Sequence, residues 1–321
     1  MDEMDAPVKV IVAPLTPGEE PRWRAFLDES AQGTFYHDPA FSAIYAAKAR
    51  RVVNLVFKEE NDPVAVLTGA VVDAEHGPEL RSPFSSSFGG FALRGRLTLR
   101  QLVSVVSELE AWARQEGVLR VVLQHPPAPY DETLDESLEL ALRHGGFEPA
   151  GAELTYYLTA LDVDPVVRRN LRRAAAAGCE FRETDDVTGV WEFLAAEKAE
   201  RGQPFDLRRD DLVRLRTTFP GRVHTFEVVQ GGVRVAALLA YALSRRAVLG
   251  FHWAQRAEAQ ASRPTDLLIH ESARWVFEHG FQVYDLGTVT LGGLPVWGVT
   301  QFKEKFRPRG ALRRRFSRRC A

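Results

Sequence analysis

Lysine is scarce in this chain, and two of the few lysines lie close together near the C-terminus. The 321 residues include 41 Lys and Arg together, and only six of these are Lys. Lys303 and Lys305 share one short segment. A lysine ammonium is a compact charge that one oxygen can approach closely, whereas a guanidinium is a planar fork. The pattern therefore favours a fixed cation for a negative oxygen, with a solvated helix face as the alternative.

The segment before these lysines has the composition of a ligand-binding loop. A short apolar strand interrupted by Asp285 leads into a run that is too loose for a simple turn. Its turn-forming residues are Gly287, Gly292, Gly293 and Pro295. A helix after Gly298 then carries Phe302 and Lys303. Residues two apart on a helix point about 200° apart, so we expect only Lys303, and not Lys305, to face a cleft.

This segment resembles the C-terminal signature of the FemABX family, the aminoacyl-tRNA-dependent peptidyltransferases that build peptidoglycan cross-bridges. The strand ends in Tyr-Asp-Leu-Gly, and the helix reads Gly-Val-Thr-Gln-Phe-Lys-Glu-Lys-Phe. The Phe302–Lys303 pair is intact. Family members usually close the motif with Phe-Gly, whereas Phe306 is followed here by Arg-Pro-Arg before Gly310.

The resemblance implies a reaction in which an amine attacks the ester that joins an amino acid to tRNA. Lys303, held by Phe302, would stabilise the negative oxygen of the tetrahedral intermediate, as a preorganised donor does in an oxyanion hole. Asp285 either orients Lys303 or caps the loop. No covalent intermediate is expected, since the chain has no Gly-x-Ser-x-Gly elbow.

Further candidates for substrate binding follow from the same resemblance. The stretch EKAERGQPF matches family residues that hold the nucleotide-linked precursor, which points to Arg201 and Phe205. The alternative for Arg201 is that it satisfies the negative end of its helix dipole. His252 ends the central strand near the expected cleft, and its alternative role is structural.

A serine- and glycine-rich loop in the first half, SPFSSSFGG, also resembles the family. Its hydroxyls and backbone amides could donate hydrogen bonds to a diphosphate or a sugar. The alternative is a merely flexible loop. The candidate donors are Ser85, Ser86, Ser87, Gly89 and Gly90.

Composition limits the class of protein. With 45% hydrophobic and 26% charged residues, the chain predicts a globular protein large enough for two cores. A net charge of −2 provides no overall attraction to nucleic acid, so an RNA contact must be local. Arginines cluster in Arg309–Arg319 and in Val167–Arg173. Both clusters are either solvated faces or phosphate sites.

Cysteine usage and the terminal sequence indicate a cytoplasmic protein. Cys179 and Cys320 do not form a disulfide framework, and no Cys/His spacing suggests a metal site. The acidic N-terminus does not look like a signal peptide, and no apolar run reaches the length of a membrane span.

The order of predicted elements indicates an α/β (α+β mixed sheet) fold of two tandem GNAT-like acyltransferase domains. A helix pair, an antiparallel meander, and then helix, strand, helix and strand occur twice. We expect domains at residues 1–162 and 163–321. The helix VVRRNLRRAAAAG after Pro165 resembles the arginine-rich connecting helix of the family.

The resemblance implies aminoacyl-tRNA as the acyl donor, with no bound cofactor. GNAT enzymes that use coenzyme A cradle its pyrophosphate with glycine-rich backbone amides at a helix N-terminus. The corresponding turn here, AQRAEAQASRPTD, has no glycine, and the first half lacks the required spacing. The predicted acceptor is a UDP-linked or lipid-linked muropeptide, with peripheral membrane contact. The alternatives are a GNAT-fold N-acyltransferase with another acyl donor, acting on a small molecule or protein, and a non-catalytic cell-envelope assembly protein.

Overall fold

Helices alternate with short groups of strands, and this order occurs twice along the chain. The computed structural model describes residues 8–133 and 135–320. The first half contains β1 (Val10–Pro14), α1 (Glu20–Glu29), α2 (Pro39–Ile44), β2 (Arg51–Glu59), β3 (Asp62–Ala74), β4 (Gly77–Ser82), β5 (Phe91–Leu93), α3 (Leu99–Gln115), β6 (Arg120–Gln124), α4 (Ser137–His144) and β7 (Glu148–Leu158). The second half contains α5 (Pro165–Ala176), β8 (Cys179–Glu183), α6 (Val187–Glu200), α7 (Arg209–Thr218), β9 (Val223–Gln230), β10 (Val233–Ala242), β11 (Ala247–Gln255), α8 (Pro264–Glu278), β12 (Val283–Thr288), β13 (Thr290–Leu291), β14 (Leu294–Pro295), α9 (Trp297–Glu304) and β15 (Arg309–Arg319).

Two compact units divide the chain. The first runs up to Ala152 and includes the residues from Leu312 onward, and the second is Glu153–Ala311. The sequence instead placed the boundary after residue 162 and kept the C-terminal strand in the second domain. Strand pairing explains the difference. The end of β15 pairs with β6 of the first unit, and the end of β7 pairs with β12 of the second.

The first unit is a sheet in the order β1-β2-β3-β4-β6-β15, with β5 beside β3. Helix α3 begins with a capping box in which Thr98 and Gln101 each bond the other's backbone N–H. Its apolar residues recur at helical spacing and form one buried stripe. These residues are Leu102, Val105, Val106 and Leu109, all in the core of this unit.

The second unit is a sheet in the order β7-β12-β11-β10-β9-β8. Residues 235–243 of β10 and its continuation are buried throughout, as expected of a strand covered on both faces. Strands β11 and β12 are parallel over three residue pairs, from Ala247–Val283 to Leu249–Asp285. On the other side of β11, Leu239 pairs with His252 while Ala240 pairs with Gly250. Phe251 is therefore the extra residue of a β-bulge, a feature that redirects neighbouring side chains.

Most of the predicted elements are present, with bounds shifted by a few residues. The sequence reasoning missed the edge strand β1, the strands β4 and β5, and the small β13–β14 hairpin. The predicted helix Leu134–Arg143 is observed as Ser137–His144, and residue 134 lies outside the described residues. Within the described ranges, no helix is both long and apolar enough to cross a membrane.

Phe316 tests the assignment of the C-terminal strand to the first unit. Its buried ring lies in that unit's core, and its backbone pairs with Leu123. Phe316→Ala should lower the free energy of unfolding of this unit by about 3–5 kcal/mol, because it leaves a cavity. Hydrogen exchange should accelerate in β6 and α3 but not in β10. The exposed Leu312 on the same strand gives the control Leu312→Ala. Faster exchange in β10 alone would contradict the assignment.

Candidate functional site

A cavity of about 460 Å³ opens in the second unit, beside the point where β11 and β12 cease to pair. Residues from Gly250 to Gln255 of β11 form one wall, and Leu286–Thr288 at the end of β12 form another. Helix α9 contributes Phe302 and Lys303. The end of the parallel pairing and the bulge at Phe251 thus coincide with the cavity.

Lys303 is held in a fixed position on the cavity wall. Its side chain belongs to a residue that is only 3% exposed, and Nζ donates to the carbonyl oxygens of Gly287 at 2.9 Å and Thr288 at 2.8 Å. Nζ also lies 5.0 Å from the ring centroid of Trp253, a favourable cation–π distance. Backbone oxygens and an aromatic face therefore orient the ammonium.

Asp285 holds the loop that in turn holds Lys303. The buried carboxylate accepts hydrogen bonds from the Gly287 backbone N–H at 2.7 Å and from the Thr155 hydroxyl at 2.5 Å. Gly287 has a φ of +81°, a conformation that glycine adopts at low cost. Asp285 thus caps the loop, and through the loop it fixes the carbonyl oxygens that receive Lys303.

Lys303 and Lys305 both line the cavity, so the expectation that only Lys303 can face it is wrong. Lys305 lies just past the last helical residue, Glu304, where helix geometry no longer fixes the direction of the side chain. Its Nζ bonds Asp266 Oδ1 at 2.8 Å and lies 4.4 Å from the ring centroid of Phe302. Phe302 therefore packs against the ammonium of Lys305, whereas the ring at the Lys303 ammonium is that of Trp253.

Arg307 stands where the family has the glycine of Phe-Gly, and its backbone conformation is one that favours glycine. Its φ is +50°, in the left-handed region that favours glycine. Its backbone N–H bonds the carbonyl of Glu304 at 2.9 Å and so ends the helix. Phe306 before it is buried in the core of the unit. The departure from the family pattern is thus in the residue type.

The cavity is strongly cationic. Among the described residues, five basic side chains and one carboxylate, Asp266, line it. The basic residues are Lys198, Arg201, Arg263, Lys303 and Lys305. This charge favours an anionic ligand.

The position of Arg201 is compatible with both roles that the sequence left open. It caps the C-terminal end of α6, and its guanidinium donates to the Gln255 carbonyl and lies 3.6 Å from Glu197 Oε2. It also lines the cavity. Arg201 therefore joins α6 to β11 while presenting charge to the site.

His252 lines the cavity as a neutral imidazole. Burial and the neighbouring Lys198 lower its pKa to about 3. The Phe205 ring packs edge-on against it, with centroids 5.0 Å apart. Phe205 thus supports His252 by packing and cannot supply the hydroxyl that a tyrosine would bring. A base with so low a pKa is too weak to collect protons near neutral pH.

The serine- and glycine-rich candidates lie in the first unit. The Gly89 N–H bonds the Gln124 carbonyl at 2.8 Å, and the Gly90 N–H bonds Ser82 Oγ at 2.7 Å. These two donors are therefore used within the protein, contrary to the expectation that they serve a ligand. Ser86 Oγ bonds the Phe88 carbonyl, and the Ser87 carbonyl accepts from Gln124. Ser85 has a φ of +54°.

The entry to α8 does not fit the pyrophosphate of coenzyme A. A single 3₁₀ turn, Glu258–Ser262, precedes Arg263, which has a φ of +61°. The first helical residue is Pro264, which has no N–H, and the acidic Asp266 follows in the first turn. Backbone amides that bind a diphosphate need free N–H groups, and no acidic side chain, at the start of the helix.

Lys198, Trp253 and Arg263 are among the cavity residues that the sequence reasoning missed. Lys198 is one of only six lysines, so the scarcity that drew attention to Lys303 was also a signal for Lys198. Trp253 was not among the predicted site residues, and the bulge at Phe251 breaks the alternation from which strand faces are predicted. Arg263 became visible only through its position at the start of α8.

Comparison with known proteins gives the fold. Residues 165–304 match the acetyltransferase (GNAT) domain family. The crystal structure of FemX superposes with a TM-score of 0.71 at 10% identity, covering 95% of this chain and 96% of that one. The chain has a FemABX-like tandem GNAT fold. The FemX superposition confirms the resemblance to the FemABX family and the predicted fold class. The match to the GNAT domain family supports an acyltransferase.

Two other solved structures share this fold. The C-terminal domain of a putative lysylphosphatidylglycerol synthetase from Agrobacterium fabrum has a TM-score of 0.59 at 13% identity, covering 93% of this chain and 90% of that one. A tandem GNAT protein from the clavulanic acid biosynthesis pathway has a TM-score of 0.52 at 10% identity, with 98% and 99% covered. No curated protein sequence matches the chain.

The protonation state of His252 can be measured directly. We expect its ring resonances, assigned with a His252→Gln variant, to stay constant between about pH 5 and 8, since its pKa is near 3. A lowered pKa means that the unfolded chain binds the extra proton first. The contribution of His252 to stability is therefore present above about pH 6.5 and is lost as the pH falls toward 3. A titration midpoint near 6.5 in the folded protein would contradict the buried, cation-flanked site.

Proposed function

We propose that this protein is an aminoacyltransferase that moves an amino acid from aminoacyl-tRNA to the amine of a peptidoglycan precursor stem peptide. The observation that carries the proposal is the buried Lys303 ammonium, oriented by two carbonyl oxygens at the wall of a cationic cavity. The FemX-like fold over nearly the whole chain supports the same conclusion. Such a protein would work in the cytoplasm and contribute to cell-wall biogenesis and cell shape.

The proposed step is direct aminolysis of an ester. The acceptor amine attacks the carbonyl carbon, a C–N bond forms, and the carbonyl oxygen becomes negative. Lys303 stabilises that oxygen electrostatically. The C–O bond to the tRNA ribose then breaks, and the proton lost by the amine ends on the ribose hydroxyl. Trp253 packs beside the Lys303 ammonium, whereas Phe302 packs beside that of Lys305. The other cavity cations, Arg201 among them, bind the phosphate-bearing parts of the co-substrates.

A tRNA donor is supported by two features of the second unit. The start of α8, with its proline and aspartate, supports a donor other than coenzyme A. Helix α5 presents four exposed arginines that make no ion pair within the described ranges, and these suit an RNA backbone. They are Arg168, Arg169, Arg172 and Arg173. The opposite face of α5 reaches the cavity, since Asn170 Nδ2 bonds Asp266 Oδ1 at 3.1 Å.

A second candidate is an N-acyltransferase that uses another activated acyl group. The match of residues 165–304 to an acetyltransferase domain favours it. The two candidates differ in the donor and share Lys303 as the stabilising cation. They are therefore distinguished by supplying each donor separately.

A product-mass assay tests the proposed function. The purified protein is incubated with a mixed pool of aminoacyl-tRNAs and UDP-linked or lipid-linked muropeptide, and we expect the muropeptide mass to increase by one or more aminoacyl residues. Acetyl-coenzyme A in place of the tRNA pool should give no product. An acetylated product would favour the second candidate, and no product from either donor would contradict both.

Charge reversal on α5 provides the donor control. Arg168→Glu with Arg172→Glu should raise the KM for aminoacyl-tRNA and reduce its salt dependence, because two phosphate contacts are lost. Reversal of the exposed Arg143 on α4, as Arg143→Glu, is the matched control. An equal effect of both variants would show that only general surface charge matters.

A further inference from the structure

The β13–β14 hairpin presents an unusual apolar surface beside the cavity. The stretch 286–302 is seventeen residues long and contains no charged residue. Leu291, Leu294 and Trp297 are 79%, 72% and 67% exposed, and Val296 and Val299 are exposed as well. Isolated exposed apolar residues are ordinary, whereas a cluster of this size marks a surface that meets an apolar partner.

The hairpin is an ordered projection. Gly292 and Gly293 both have positive φ, of +60° and +77°, as a two-residue hairpin turn requires. The Glu153 carboxylate accepts hydrogen bonds from the Thr290 hydroxyl and from the Gly293 N–H. The Val296 N–H bonds the Val289 carbonyl at 2.8 Å. These bonds fix the backbone and leave the leucine side chains in solvent.

The apolar surface is continuous with the cationic cavity. Trp297 begins α9, and the next two residues, Gly298 and Val299, line the cavity. Lys303 and Lys305 lie one to two turns further along. A single stretch of chain therefore presents hydrocarbon-compatible side chains and then ammonium groups, which complements an amphiphile with an anionic head and an apolar tail.

We propose that the β13–β14 hairpin docks on a lipid bilayer and that the acceptor is the lipid-linked form of the precursor. Leucine side chains at the tip enter the acyl boundary, and Trp297 lies at the level of the headgroups, where tryptophan is favoured. The phosphates of the lipid-linked acceptor then face the cavity cations. The choice of acceptor rests on the proposed function, but the docking of the hairpin does not.

Vesicle flotation tests the docking. The probe is a vesicle of equal parts phosphatidylglycerol and phosphatidylcholine. Leu291→Ser with Leu294→Ser should lower the partition coefficient at least about tenfold, since two apolar side chains lose their burial. Leu140→Ser on α4, at a leucine that is 55% exposed, should leave it unchanged. Quenching by brominated lipids should be strong in the wild type and weaker in Trp297→Phe.

A second arm tests the acceptor. The double variant should lose at least about tenfold in kcat/KM with lipid-linked muropeptide in vesicles and keep its rate with UDP-linked muropeptide, because neither leucine lines the cavity. Equal loss on both acceptors would overturn the acceptor assignment. If the double variant has the same partition coefficient on vesicles as the wild type, the docking is overturned. This holds even if the two substitutions abolish self-association. If the wild type aminoacylates neither acceptor, the proposed function fails and the flotation result still decides the docking.

Discussion

The candidate site depends on the contact between one ammonium group and two backbone carbonyl oxygens. Lys303 donates to Gly287 and Thr288, and the loop that carries these residues is held by Asp285. Burial of an unpaired charge is costly, so a buried lysine must be paid for by such contacts. One positive charge is therefore fixed jointly by Asp285, by Gly287 with its φ of +81°, and by the short helix α9. An oriented charge is what stabilisation of a developing oxyanion requires.

The sheet of the second unit makes room for this charge. Strands β11 and β12 pair over only three residues, and the bulge at Phe251 lies just beyond the last pair. The cavity opens there, with the cation-lined wall of α9 on one side and the end of α6 on another. The same fold in coenzyme A enzymes offers backbone amides at the start of the helix after the central strand. Here a proline and an aspartate occupy that helix start, and side-chain cations supply the positive charge.

Much of the fold could be predicted from the sequence, because its signals are local. Helix α3 has a capping box and an apolar stripe, and α5 begins with Asp164 and Pro165. The pairing of the end of β15 with β6, and of the end of β7 with β12, could not be predicted in this way. Nothing in the residues of β15 shows that Phe316 belongs to a core built mainly by the first half of the chain. Long-range pairing is decided by which apolar faces remain uncovered. The residues of one strand do not identify the strand with which it will pair.

Part of the site could be predicted because its signals, too, are local in the sequence. The motif around Phe302 and Lys303 is contiguous, so a family resemblance could locate it. Trp253 and Lys305 reach the cavity through a bulge and through a helix end, and both break the periodicity on which the prediction relied. The amides of Gly89 and Gly90 looked available in the sequence, but a loop that folds on itself uses them internally.

We propose that the Lys303 ammonium stabilises charge that develops only during transfer. The most direct measurement is the single-turnover rate of Lys303→Ala with saturating aminoacyl-tRNA and acceptor, together with acceptor affinity by calorimetry. We expect a rate lower by roughly a hundredfold or more, with affinity nearly unchanged and only poor rescue by Lys303→Arg. Circular dichroism checks that the variants are folded. A folded Lys303→Ala variant that transfers at the wild-type rate would contradict the account.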